Sequence, residues 1–419
     1  MKSGNKQRQQ SFYYITDPLL ETVKDSQVIN WLELLGIHQI IFHLIIPTSF
    51  LYYLNKYTLR KKKLKEAAKK IKGRIIEIPI IRKRSINRIS GIFLTTSLFV
   101  IFAIDLIKGK TILIQTRNFS NINTLTVLKH ILKKIRIIYE MRGASAEEYI
   151  NLNGYNKISD VVDNSIIRQY SVLLKSQFSM INLSEKTICV SGKLKDYIIE
   201  KNNNIDKNKL TIIPGAADKN MFFFNTNIRN NLREKLKVEN KFIIVYTGKL
   251  DRSWHKPEFI FKFIKELLKP IPELFFFCIT PDIKLAEKLA DKNGLNNFQI
   301  YYKYEPYEKI QPYLCAADLG LLIRDDIPTN HVASPTKLPE YLLCGLPVII
   351  SQKIGDFSDF IERNNLGLVV NNDMDAMVNN LKTKLLINKW DRIKISEIAE
   401  KYLSKQSWIK DLIRVYSHV

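Results

Sequence analysis

The chain lacks the features that mark several whole classes of protein. Only four cysteines occur in 419 residues, Cys189, Cys278, Cys315 and Cys344. They are widely separated, with no C-x-x-C pair and no histidine at ligand spacing, so neither a zinc knuckle nor a disulfide framework is indicated and a reducing cytosol is the natural compartment. Fifteen glycines and fourteen prolines are too few for collagenous or low-complexity sequence. The opening MKSGNKQRQQ runs into SFYYITDP without the apolar core and small-residue cleavage site of a secretion signal. No G-x-G-x-x-G follows the first predicted strand, which argues against a dinucleotide redox cofactor, and the absence of G-x-x-x-x-G-K-[ST] argues against a P-loop. Acids are scarce too. Against 65 lysines and arginines stand 41 aspartates and glutamates, a net charge of +24, so part of the surface attracts polyanions: nucleic acid, anionic lipid or phosphorylated ligands.

What is present is enough to fold. The chain is 46% hydrophobic and 25% charged, and its length suits two domains of ~150–200 residues. Two apolar stretches, 36–54 and 89–107, approach the ~20 residues that span a bilayer. His38, His43 and Pro47 interrupt the first, and Ser90, Thr95, Thr96, Ser97 and Asp105 the second. Both are read as buried strand or helix of an α/β domain, where continuous apolar runs are usual.

Short apolar runs alternate with longer helical patterns, which predicts βαβ units and parallel sheets. The first series of strands is FYYIT (12–16), QIIFHLI (39–45), RIIEIPI (74–80), TILIQT (111–116), RIIYEM (136–141), TICVS (187–191) and LTIIP (210–214). The second is FIIVYT (242–247), LFFFCI (274–279), FQIYY (298–302), LGLLI (319–323), PVIIS (347–351) and GLVV (367–370). The boundary falls at Pro214 and Gly215, giving units 1–214 and 215–393 followed by a helical stretch 394–419 with Trp408, Leu412 and Tyr416 as its packing face. Two such open sheets in series place a ligand in the cleft between them.

Residues 334–351, SPTKLPEYLLCGLPVIIS, have the grammar of a short helix followed by a strand. Ser334 and Thr336 suit an N-cap, Pro335 and Pro339 a first turn, Cys344 and Gly345 the helix end, and Pro347 the start of a buried strand. Free N–H groups near Thr336 and Lys337 suit a phosphate, and Glu340, one turn further, suits sugar hydroxyls. A capped structural helix with solvent-facing Lys337 and Glu340 is the plainer alternative.

This segment resembles the donor-site segment of family 4 of the retaining glycosyltransferases, which have the GT-B fold of two Rossmann-like, doubly wound domains facing a central cleft. Three further segments are similar to that family, in its order. IIYEMRGASAEE (137–148) resembles the signature of capsule- and O-antigen-type members. IIPGAADKNMF (212–222) resembles the junction segment, with Ala216 where the pattern has glycine. YTGKLDRSWHK (246–256) resembles the glycine-basic phosphate loop.

The resemblance implies that Lys249, directly after Gly248, and Lys256 neutralise the donor diphosphate and so act in catalysis, with Arg252 able to replace either. Lys249 stands where arginine is commoner, and offers a point charge in place of a fork. Glu340 matches the glutamate that binds the ribose, while the family's first motif glutamate falls on Val332. Ser334, Asn330 or a backbone group then takes over contacts to the transferred sugar, or the sugar is presented differently. Arg142 stands where many relatives contact the donor sugar, with Arg117 ending the neighbouring strand. Glu147 and Glu148 are candidates for positioning the acceptor, and Tyr304 lies in the stretch 302–305 expected to face the base. The final helix is expected to cross back onto the first domain, and retention of configuration is implied. Leaving-group stabilisation by cations and N–H groups calls for no metal or cofactor. The D-x-D-like string at 373–375 is read as a helix cap.

The stretch 55–88, opened by Asn55 and closed by Arg88, holds fourteen basic residues against Glu66 and Glu77, half of the whole excess. Beside apolar sequence it suits an anionic membrane leaflet, and a solvated helix face is the plainer reading. No base-stacking aromatics interleave, so nucleic acid is not an expected partner. The resulting expectation is a cytoplasmic transferase, peripheral on the inner face of the plasma membrane. It would move a sugar from a UDP- or GDP-linked donor to a polyprenyl-diphosphate-linked saccharide in cell-surface polysaccharide synthesis. A nucleotide-sugar 2-epimerase and a catalytically silent GT-B protein are the alternatives.

Overall fold

The computed structural model describes residues 10–16, 25–49, 57–80, 88–251, 255–296, 299–387, 390–417 and 419. They build two wholly parallel sheets. The first has the order β3-β2-β1-β4-β5-β6-β7, with β1 Gln10–Ile15, β2 Phe42–Ser49, β3 Ile75–Ile80, β4 Thr111–Thr116, β5 Ile135–Met141, β6 Lys186–Cys189 and β7 Leu210–Ile212. The second has the order β10-β9-β8-β11-β12-β13, with β8 Phe242–Thr247, β9 Leu274–Ile279, β10 Ile300–Lys303, β11 Leu319–Leu322, β12 Val348–Ser351 and β13 Gly367–Val370. This is the GT-B architecture.

Strands flanked by helices on both faces read as unbroken apolar runs, and β9, LFFFCI, is buried at every position. Every strand segment named from the sequence overlaps one of these strands. The largest shift is in β2, expected from Gln39 and beginning at Phe42. Gln39 takes a left-handed backbone conformation, φ 62°, in the turn that closes the helix α1, Asn30–Ile37.

The helices that follow in the first unit are α2 Tyr57–Lys70, α3 Arg88–Ile107, α4 Ile122–Ile131, α5 Ser145–Leu152, α6 Asn164–Leu183 and α7 Gly192–Lys201. One correction concerns the apolar stretch 89–107. It forms α3, and only its inner face, Leu94, Leu98 and Phe102, is buried, whereas Ile92, Val100, Ile104 and Ile107 are exposed.

The second unit carries α8 Thr226–Leu236, α9 Pro257–Leu267, α10 Ile283–Lys292, α11 Gln311–Ala316, α12 Pro328–His331, α13 Lys337–Leu343, α14 Phe357–Asn364 and α15 Met374–Ile387. The chain closes with α16 Arg392–Leu403 and α17 Lys405–Ser417. Ile395, Ala399 and Leu403 of α16 pack into the second unit. The chain then turns at Ser404, and Leu412, Val415 and Tyr416 of α17 pack beside β2 and α1 of the first. Trp408, half-buried, packs against the same cluster, and its indole N–H donates to the Tyr402 carbonyl at 2.8 Å. The turn is stitched to the junction between the units, where the Ala217 N–H donates to the Leu403 carbonyl and the Lys405 N–H to that of Ala217.

Candidate functional site

Parallel sheets direct ligands to the carboxyl ends of their strands. At the end of β8, Gly248 has φ 98°, a conformation that favours glycine. The ammonium of Lys337 lies 4.1 Å from the centre of the Tyr246 ring, a cation–π contact. At the end of the paired strand β11, Arg324 donates to Asn330 Oδ1 at 3.2 Å, while its buried Nε has no hydrogen-bond partner among the described residues. Loss of water, then the neighbouring Arg324 charge, push Lys337 down to about 7, and burial pushes Arg324 down to about 10. Two shielded cations therefore share the ends of two adjacent strands, the electrostatic setting for an anion.

Of the residues expected there, Lys249 is exposed, and its carbonyl accepts the Tyr246 hydroxyl at 2.6 Å. Lys256 opens α9 with φ 48° and is ion-paired to Asp325 at 2.9 Å. Arg252 lies outside the described residues. The helix grammar of 334–351 is met in α13, but the caps are corrected. Thr336 makes no side-chain cap hydrogen bond, and Ser334 Oγ instead accepts the Gly215 N–H at 2.8 Å. That contact needs glycine, since a Cβ at Gly215 would sit 2.7 Å from the Ser334 carbonyl oxygen.

Glu340 is buried. Burial raises its carboxyl to about 8 against the pull of Lys337, Tyr307 and Lys405. Lys405, at the start of α17 and 1% exposed, is pushed down to about 7 by burial, with Asp218 and Glu340 opposing and Arg142 adding to the shift. Lys405 thus ties the final helix to both halves of the site.

Val332, where the resemblance places a glutamate, is 4% exposed within the apolar cluster of the first unit, and its carbonyl accepts the Ser191 hydroxyl at 2.8 Å. The substitutes considered for that glutamate are engaged as well. Ser334 is held by Gly215, and Asn330 donates to the Asp325 carbonyl at 2.9 Å. Asp325, beside Arg324, is one carboxylate near this segment; the other, Asp326, is paired to His331 and Lys353.

In the first unit, Glu140 of β5 accepts from Tyr14 at 2.7 Å and Gln115 at 2.8 Å and pairs with Arg142 at 3.1 Å. Tyr416 of α17 donates to Gln115 at 2.7 Å. Burial alone would raise the Glu140 carboxyl, but the Arg142 and Arg117 guanidiniums and these hydrogen bonds hold it below its usual value. Arg117 donates to Gln27 at 2.6 Å, and its second terminal nitrogen is buried with no hydrogen-bond partner among the described residues. Two arginines therefore stand at neighbouring strand ends with a single carboxylate between them.

Glu147 is corrected to a packing role. It is 3% exposed and accepts from Tyr170 at 2.8 Å and Tyr197 at 3.1 Å, which binds α5 to α6 and α7. Glu148 is half-buried against Gly143, where an added Cβ would lie 2.7 Å from its Oε1. Tyr304 is exposed beyond β10. Asp373 caps α15, accepting the Ala376 N–H at 2.8 Å.

The units meet through α7. Asp356 accepts the Gly192 and Lys193 N–H groups at 2.5 and 3.0 Å, and Thr329 donates to Asn151. A cavity of about 600 Å³ lined by Lys193, His331, Lys353 and Asn371 opens beside this contact. Lys405 and Arg324 escaped sequence reasoning. Only Arg324 had a signal, its place directly after the apolar run LGLLI.

These features define a two-unit GT-B protein with a cation-lined cleft. Residues 320–401, which include Arg324, Lys337 and Glu340, match the family described as glucosyltransferase 3-like, C-terminal domain. Over 98% of its length the chain is similar in fold to HepE of Anabaena in complex with UDP-glucose, covering 100% of that chain at 12% identity and TM-score 0.69. Sucrose-phosphate synthase of Thermosynechococcus elongatus matches with TM-score 0.70 and 15% identity, 98% of each chain being covered. A glycosyltransferase of Rickettsia africae matches with TM-score 0.67 and 16% identity, again over 98% of each chain.

Proposed function

We propose that the protein is a glycosyltransferase that takes its sugar from a nucleoside-diphosphate sugar, bound with its diphosphate against Lys337, Arg324 and Gly248 and its ribose toward Glu340. The observation that carries this is the pair of shielded cations at the ends of β8 and β11. Departure of a nucleoside diphosphate leaves negative charge on the phosphates, and fixed cations in a water-poor site stabilise it without reorganising. Lys256 joins them by exchanging Asp325 for phosphate. The match to a glucosyltransferase-like family and the fold shared with HepE, known in complex with UDP-glucose, make UDP-glucose the first donor to try. A polyprenyl-diphosphate-linked saccharide is the proposed acceptor, with its phosphates toward Arg117 and Arg142 and its sugar in the cavity beside Lys193. Transfer proceeds with retention, and activity survives EDTA because side chains supply the positive charge. The setting is cell-surface polysaccharide synthesis at the inner face of the plasma membrane, with the basic stretch 55–88 supplying long-range attraction.

Thermal stabilisation by UDP or GDP and their sugar conjugates tests the donor site, and sugar transfer to membrane lipid extract tests the reaction. Stabilisation by one nucleotide, lost in Lys337→Met, supports the reading, and none from any nucleotide removes it. The burial of Val332 favours a second reading, a protein that binds donor without turnover. Binding without acceptor-dependent transfer or epimerisation would select it.

A further inference from the structure

Helix α3 has two apolar faces with different fates. Leu94, Leu98 and Phe102 pack against Tyr13, Ile112 and Ile114. Its one acid, Asp105, turns inward, accepting from Tyr13 at 2.8 Å and lying 3.7 Å from Lys110. On the outer face Ile92, Phe93, Phe99, Val100, Ile104 and Ile107 are between 38% and 85% exposed. Their spacing makes one stripe ~22 Å long at 1.5 Å per residue. Thr96, within it, donates its hydroxyl to the Ile92 and Phe93 carbonyls. Val127 and Ile131 of the adjacent α4 widen it. An apolar surface this continuous marks an interaction site.

Its rim is mainly cationic, and the acid beside it, Glu185, is paired with Lys129 of α4 at 2.8 Å. No acid occurs between Asp105 and Glu140, while Lys108, Lys133, Lys134 and Arg136 are exposed in and beside the loops that lead into β4 and β5. Those loops are joined by the Ile112 N–H donating to the Lys134 carbonyl at 3.1 Å.

We propose that α3 and α4 form a docking face for an anionic membrane leaflet, with α3 lying flat, its stripe among the acyl chains and the rim lysines on acidic headgroups. Charge complementarity selects lipid: the stripe suits the hydrocarbon boundary, and the excess of exposed lysine and arginine on the rim suits anionic headgroups. Helix α3 is long and apolar enough to cross a bilayer, but crossing would strip Leu98 and Phe102 from the sheet. The polybasic α2 packs through Ala67, with Ile71 just past its end, into the cluster on the opposite sheet face, so the apolar contact belongs to α3, not to 55–88. This inference stands independently of the donor-site reading.

The test is flotation of the full chain with phosphatidylcholine vesicles, with and without phosphatidylglycerol. The wild-type chain floats with the anionic vesicles, and the emission of a Phe99→Trp variant shifts to the blue on binding. The Val100→Glu, Ile104→Glu double variant partitions roughly tenfold less or weaker still, with its melting temperature and UDP response unchanged. Leu386→Glu, an exposed leucine of α15, partitions like wild type. Failure of the folded wild-type chain to float, or undiminished flotation of the double variant, overturns the proposal. So does a dimer that the double variant abolishes in a chain that ignores vesicles, which would assign the face to a second copy. Resistance to alkaline carbonate extraction would overturn the flat geometry. Vesicle binding without any nucleotide response would remove the donor reading and leave this one intact.

Discussion

Lys337 fills the space that a side chain at Gly248 would need: a Cβ there would lie 2.8 Å from Lys337 Cε and 3.0 Å from Nζ. The left-handed turn after β8 and the first residue of α13 are therefore one construction, and Gly248→Ala would both strain the turn and displace the ammonium. Lys337→Met keeps most of the volume and removes the charge. UDP affinity is expected to fall about 10- to 100-fold, the ~1.5–3 kcal/mol of a charge-assisted contact. The nucleotide-free protein is expected to melt no lower, because a cation repelled by Arg324 has gone. Titration calorimetry and thermal melts read both, and an unchanged affinity would remove Lys337 from the site.

Burial of Glu340, Lys337 and Lys405 makes stability depend on pH in two opposed ways. Glu340 is raised from 4.5 to about 8, so across that window the folded chain holds the extra proton and stability falls as pH rises. Lys337 and Lys405 are lowered from 10.5 to about 7. Across that window the unfolded chain holds more protons, and stability rises with pH. Their combined contribution has its minimum near neutrality to slightly alkaline pH. Glu340→Gln is expected to remove the falling limb and keep the rising one, read as the difference in urea unfolding free energy from about pH 5 to about pH 10. A difference that does not vary with pH would refute the assignment.

Where a segment is buried on both faces, its limits could be read residue for residue, as in 111–116, 242–247 and 274–279. There the apolar run and the strand coincide. Lys337 and Glu340 were legible because helix chemistry set them apart, and Gly248 through the resemblance of 246–256 to a phosphate loop. Lys405 was not: it is one of 65 basic residues and reaches the site only because the chain turns at Ser404 between α16 and α17. The two faces of α3 were hidden for the opposite reason, since both are apolar and only the position of the sheet distinguishes them.

Val332→Glu restores the residue type that the resemblance calls for, and is expected to damage the protein. The side chain sits in the apolar cluster of the first unit, where a carboxylate is not solvated. The cost is about 3 kcal/mol or more, seen as a lower melting temperature with no gain in transfer. A stable variant with faster transfer would mean that the 330–334 segment can swing out to present position 332 to the donor.

Asp356 gives the contact between the units a charge as well as a shape. Its carboxylate accepts the first two N–H groups of α7 from across the cleft, at the helix end where the backbone dipole favours an anion. Ser191 caps the same turn, accepting the Leu194 N–H at 2.9 Å while donating to the Val332 carbonyl. Asp356→Ala therefore leaves α7 capped by Ser191 and removes only the bridge. The expected loss is ~1–2 kcal/mol, the range for a capping side chain, and it should be local. In hydrogen exchange the Gly192 and Lys193 amides lose protection, while amides of β4 and β9, deep in either sheet, exchange as before. Faster exchange throughout both sheets would show that the two units depend on this one carboxylate for their stability, which the separate apolar cores argue against.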